Sequence, residues 1–172
     1  MALQRRSRKF QIRPRPIFFA VFFAALAFLM TFLSGWPVVA RATERVVNDR
    51  FTGLAISGYD PVAYFTDAKP VIGKPDYEKS FAQVVWRFRS DGNRQEFSAN
   101  PDIYQPRYGG YDPVGIGRGV ALVGNPLVWA IVGERLYLFY NEQARTEFIL
   151  NPDGVIAQAD GRWDEVQQGL AN

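Results

Sequence analysis

The sequence predicts an α+β domain: a small antiparallel sheet with short helices packed on it, built from two pseudo-repeated strand-helix units and preceded by an N-terminal hydrophobic leader helix. Three observations carry this. Gly58-Tyr59-Asp60-Pro61-Val62 recurs as Gly110-Tyr111-Asp112-Pro113-Val114, five identities at an offset of 52. Residues 86–104 match 137–155 at an offset of 51 in seven of nineteen positions, where about one match is expected by chance. Charge is also partitioned: seven of the 20 Lys and Arg precede Thr43, and none of the 17 Asp and Glu do. The chain is +3, while residues 43–172 alone, with 13 basic and 17 acidic side chains, come to −4.

The leader comes first. Arg5, Arg6, Arg8, Lys9, Arg13 and Arg15 precede an apolar run from Ile17 to Leu33, and Ala40-Arg41-Ala42 follows. A basic start, an apolar middle and small residues at the end make a secretory signal peptide, with cleavage after Ala42. Seventeen residues at about 1.5 Å each reach about 26 Å, so an uncleaved membrane anchor is the other reading of residues 1–42. Either way the basic cluster stays inside, and the expectation is a periplasmic domain or one tethered to the inner membrane and facing outward. Residues 43–52 read as a linker and 53–170 as the domain, with repeats over about 58–104 and 110–155.

Within each repeat the Gly-Tyr-Asp-Pro-Val segment reads as a turn, because Pro fixes φ and the Asp side chain bonds nearby amides. A strand is expected next. Val84, Trp86 and Phe88 alternate with Val85, Arg87 and Arg89, a period of two with one buried face. In the second repeat Val128–Val132 and Arg135–Tyr140 flank Gly133-Glu134, a tight hairpin turn. Helices over Asp91–Ala99 and Glu142–Leu150 close the units, with Ser90 or Asp91 and Asn141 as N-caps. Both stop at Asn-Pro-Asp, a triplet whose Asn cap, Pro and Asp can start a new turn. A last short helix is expected near Trp163–Leu170.

GYDPVAYF at 58–65, WRF at 86–88, YGGYDPV at 108–114 and the W…LYLFY block at 129–140 together resemble the YHS-domain family, in particular its exported bacterial branch. The resemblance spans about Leu54 to Trp163 and implies a small α+β module. Metal-associated members carry Cys after Asp-Pro-Val, where this chain has Ala63. Exported relatives often read Gly-Gly-Tyr-Cys in the second block, where this chain has Asp112. With carboxylate in place of thiolate, any remaining metal preference moves to hard cations such as Ca²⁺, Mg²⁺ or Mn²⁺.

Composition narrows the chemistry. With no Cys and no His there is no disulfide, thiol catalyst, zinc finger or Ser-His-Asp triad. The pI near 9.3 belongs to the leader, so nucleic acid is not an expected partner. The candidate ligand-binding residues are Tyr59, Asp60, Tyr64, Tyr108, Tyr111, Asp112 and Arg118, with Tyr104 in the same tyrosine cluster. Their partner is an unidentified small molecule or protein. Asp60 and Asp112 are pseudo-equivalent carboxylates that converge on a divalent cation, in the alternative reading, or cap their own turns. Arg118 sits in Gly115-Ile116-Gly117-Arg118-Gly119, either an anion nest or a connector. No cofactor and no catalytic set is expected, and a binding or interaction module follows as the first reading.

Overall fold

Two β-hairpins organise the chain, and each is set between a tight turn and a pair of helices. The computed structural model describes residues 46–170, so the leader (1–42), residues 43–45 and the last two residues lie outside the described residues. The chain is α+β with two separate two-stranded antiparallel sheets, where the sequence led us to expect one. In chain order, α1 is Ala63–Thr66, β1 Lys74–Phe81, β2 Val84–Phe88, α2 Asp91–Ala99 and α3 Pro101–Tyr104. Then α4 is Pro113–Gly117, β3 Asn125–Val132, β4 Arg135–Phe139, α5 Glu142–Leu150 and α6 Pro152–Gly169.

The same elements thus occur twice in the same order, and local detail recurs with them. Three consecutive left-handed residues precede each Tyr-Asp-Pro: Ile56, Ser57 and Gly58 (φ 41°, 55° and 77°), then Tyr108, Gly109 and Gly110 (φ 55°, 62° and 92°). Each hairpin turns through two residues of positive φ, Ala82-Gln83 and Gly133-Glu134, the twist that matches antiparallel strands. Register shifts fall at matching places, between Lys74 and Glu78 and between Asn125 and Trp129. Ser90 and Asn141 cap α2 and α5 by accepting from Asn93 N and Ala144 N.

Several expectations need correcting. A short helix, α1 or α4, follows each Tyr-Asp-Pro before any strand. Gly115–Gly119 is therefore no free connector, because α4 runs to Gly117 with Pro113 through Ile116 buried. The stretch holding Lys74 and Lys79 forms β1. None of its residues is fully buried, which is why it showed no hydrophobic alternation. The C-terminal helix is 18 residues long and starts at Pro152. Its buried Val155, Ala159, Trp163 and Val166 fall at helical spacing, spread among Gly and Asp that weaken the signal. Within 43–52, Val46 and Val47 are buried, and Val47 N donates to Gly109 O at 2.8 Å, so this part joins the domain while Asp49–Thr52 form an exposed turn.

Two aromatic clusters make the core. In the first, Phe97 of α2 meets Trp86, Phe88 and Phe81 at ring separations of 5.0, 5.2 and 5.7 Å. In the second, Phe148 of α5, the residue at the matching position, meets Tyr137 and Phe139 at 4.8 and 5.1 Å. Burying each such side chain contributes about 1.5–3 kcal/mol. The β3–β4 hairpin serves both: Trp129, Ile131, Leu136 and Leu138 belong to the first cluster, and Val128, Ala130, Tyr137 and Phe139 to the second. Among the described residues no helix is long and apolar enough to cross a membrane.

Candidate functional site

The repeated turn buries its aspartate by folding it back under the start of the following helix. Asp60 is 0% exposed and Asp112 is 1% exposed. In each corner Oδ1 accepts from the amide two residues on, Val62 N or Val114 N, both at 2.9 Å. Oδ2 reaches across to the end of a hairpin strand, accepting from Arg89 N at 2.8 Å in the first corner and from Tyr140 N at 3.1 Å in the second. The returning chain closes against the corner through Gly73 N to Gly58 O and Gly124 N to Gly110 O. A Cβ on Gly124 would lie 2.5 Å from Gly110 O, so only glycine allows this approach.

The corners differ in one partner. Asp60 Oδ2 also accepts from the side-chain amide of Asn93, at 2.7 Å; Ala63 N reaches Asp60 Oδ1 at 3.4 Å, as the Gly115 amide acts on Asp112. The residue of α5 that corresponds to Asn93 is Ala144, whose side chain offers no donor. A carboxylate has about four lone-pair sites, so the donors that saturate Asp60 leave Asp112 partly unsatisfied. Beside Asp112 there is a cleft of about 120 Å³, lined among others by Val114, Arg118, Leu122, Tyr140, Ala144 and Glu147. Burial pushes the Asp112 carboxyl above its ordinary range, against the pull of the Tyr140, Val114 and Gly115 amides and the charge of Arg118.

Arg118 stands in this cleft held by Glu147, whose two oxygens accept from one guanidinium nitrogen at 2.7 and 2.8 Å. It is therefore a paired cation at the cleft and no open anion clamp. The tyrosines are divided between the two clusters. Tyr64 is buried, donates its hydroxyl to Pro126 O at 2.9 Å and sets its ring edge-on to Trp129. Tyr108 is buried beside Trp163 and donates to Asp160 at 2.9 Å, while Arg107 lies over its ring. Burial raises the hydroxyl pKa of both, Tyr108 further through Asp160. Tyr59 and Tyr111 are half-buried and hold the turns by backbone bridges to Ile72 and Val123. Tyr104 donates to Glu96. None of these five tyrosines lines the cleft at Asp112.

The two aspartates share no hydrogen-bond partner, and Asp60 is not part of the Asp112 cleft. Among the described residues no group of three or more Asp and Glu could hold a metal ion. A larger hollow of about 540 Å³ lies between β1 and α2, but it is broad and open, and its Glu78 and Arg94 are engaged by Arg87 and Asp91. Asn93, Tyr140 and Ala144 were not singled out from the sequence. The signal was present: aligning the repeats at an offset of 51 sets Asn93 against Ala144, a polar residue against a small one in the first turn of matching helices.

The fold and its corners define an α+β domain with two buried-aspartate turns, one closed and one opening on a cleft. Compared with protein-family models, with curated proteins and with solved structures, the chain matches none.

Proposed function

We propose that this is an exported, YHS-like binding module without catalytic activity, built from two pseudo-repeated units, with its ligand site in the cleft at Asp112. The observation that carries the reading is the unequal satisfaction of two otherwise matching buried carboxylates. A buried carboxylate short of donors costs free energy that a bound partner can recover. The basic, apolar leader supports export, with residues 43–172 periplasmic or tethered outside the inner membrane. Digestion of residues 43–172 by protease in intact spheroplasts is expected, and protection would overturn the export assignment.

The ligand site is tested by screening small fragments against the ¹⁵N-labelled protein. Shifts that concentrate on the amides of Val114, Gly115, Tyr140 and Ala144 are expected. Hits only elsewhere, or none, would reject the site. The hard-cation reading keeps one observation in its favour, that Asp112 and Glu147 line the same cleft. A calcium-type site needs six to eight oxygens, and Glu147 is already engaged by Arg118. Millimolar Mn²⁺ or Ca²⁺ that raised the melting temperature of wild type but not of Asp112→Asn would favour the cation instead.

A further inference from the structure

Resting on the binding-module reading, we propose that the cleft at Asp112 takes a small primary ammonium compound, whose N–H group sits beside Asp112 as the Asn93 amide sits beside Asp60. The molecule carries its own template. In the first corner a side-chain N–H completes the shell of the buried carboxylate from 2.7 Å, projecting from the first turn of α2. In the second corner the same helical position is Ala144, three heavy atoms shorter than Asn, and a cleft lies there. A ligand that restores the missing donor must present N–H at that point.

Charge selects an ammonium over a neutral amide. Three backbone amides act on each aspartate, Val62, Ala63 and Arg89 at Asp60 and Val114, Gly115 and Tyr140 at Asp112, so the Asn93 side chain is the donor that the second corner lacks. Arg118 draws on Asp112 only from a distance, being bonded to Glu147, and among the described residues no cation contacts the Asp112 oxygens. A charge-assisted hydrogen bond is about twice as strong as a neutral one and relieves the buried anion directly. Size selects a small compound, since the cleft offers about 120 Å³. Val114, Leu122 and Ala144 offer apolar surface to the methyl or methylene group that carries the nitrogen.

The test follows thermal unfolding of the full chain in methylammonium chloride, with sodium chloride and tetramethylammonium chloride at equal concentration as controls. Tetramethylammonium has the charge and no N–H donor. Methylammonium is expected to raise the melting temperature with the logarithm of its concentration above Kd, by roughly 3–6 °C at ten times its Kd. Ala144→Asn supplies the donor from the chain itself, so its melting point rises without ligand and the response to methylammonium disappears. Should Ala144→Asn fail to fold, Asp112→Asn is expected to lose the response as well. A flat response in wild type up to about 100 mM, an equal response to tetramethylammonium, or a full response in the folded variant would each overturn the proposal. If fragments still map to the cleft while methylammonium does nothing, the ligand class is wrong and the site stands. A cleft that binds no fragment ends the underlying reading itself.

Discussion

The corner at Asp60 and the corner at Asp112 start from the same five residues and bury their carboxylates equally, yet they end in different chemical states. One is closed by an asparagine from the neighbouring helix. The other faces a cleft because that asparagine is an alanine. The comparison teaches that the Tyr-Asp-Pro turn is a structural device, which needs its aspartate to tie turn to strand end. In the reading proposed above, whether such a turn also becomes a site depends on one residue 32 or 33 positions further along the chain.

Breaking each corner should weigh the difference. Asp60→Ala leaves the Asn93 amide and Arg89 N–H without their acceptor, and a loss of about 3 kcal/mol or more in urea denaturation is expected. Asp112→Ala should cost only about 1–2 kcal/mol, since it frees backbone amides but no side-chain donor and removes a carboxylate that burial already disfavours. Equal losses would mean that the corners are energetically alike. Asn93→Ala converts the first corner into a copy of the second. It should cost about 2 kcal/mol and open a new cleft that small fragments find by NMR.

The pH dependence sharpens the contrast at Asp112. Its native carboxyl titrates above the ordinary value of about 3.9, so between that value and its raised one the native state binds more protons than the unfolded state. The contribution to stability is full below the unfolded value and is lost as pH rises through the folded one. Urea midpoints measured from acid to neutral pH should therefore fall for wild type relative to Asp112→Asn. A difference that stays constant with pH would contradict this.

The smallest effect concerns the hairpin turns. Ala82 holds φ 52° where its counterpart Gly133 holds 56°. Ala82→Gly should relieve roughly 0.5–1 kcal/mol of left-handed strain, and Gly133→Ala should impose a similar cost. Matched thermal melts of the two variants would show opposite shifts.

Legibility followed locality. The bounds of α2 and α5 could be read from Ser90, Asn141 and the Asn-Pro-Asp stops, since capping chemistry lies within three residues of the end it fixes. Gly133-Glu134 announced its turn, whereas Ala82-Gln83 did not, because neither residue favours positive φ. β1 hid behind Pro75 and an exposed face, and α6 behind its glycines and aspartates. At the site, Asp60 and Asp112 were visible as a repeated pair, but the different donors each gathers were not. Which donors reach an aspartate depends on where the ends of β2 and β4 come to rest, and tertiary packing decides that. Arg118 was visible as a cation, and its pairing with Glu147, 29 residues away, was not.

The two-faced hairpin β3–β4 also bears on how the chain is made. Trp86, Phe88 and Phe97 are synthesised first, but the wall that covers them includes Leu136 and Leu138. A nascent chain that ends before residue 139 therefore carries its largest aromatic cluster unroofed, a species prone to aggregate. The roof of the amino-terminal cluster is thus completed only by β4, which the ribosome delivers after the cluster it covers.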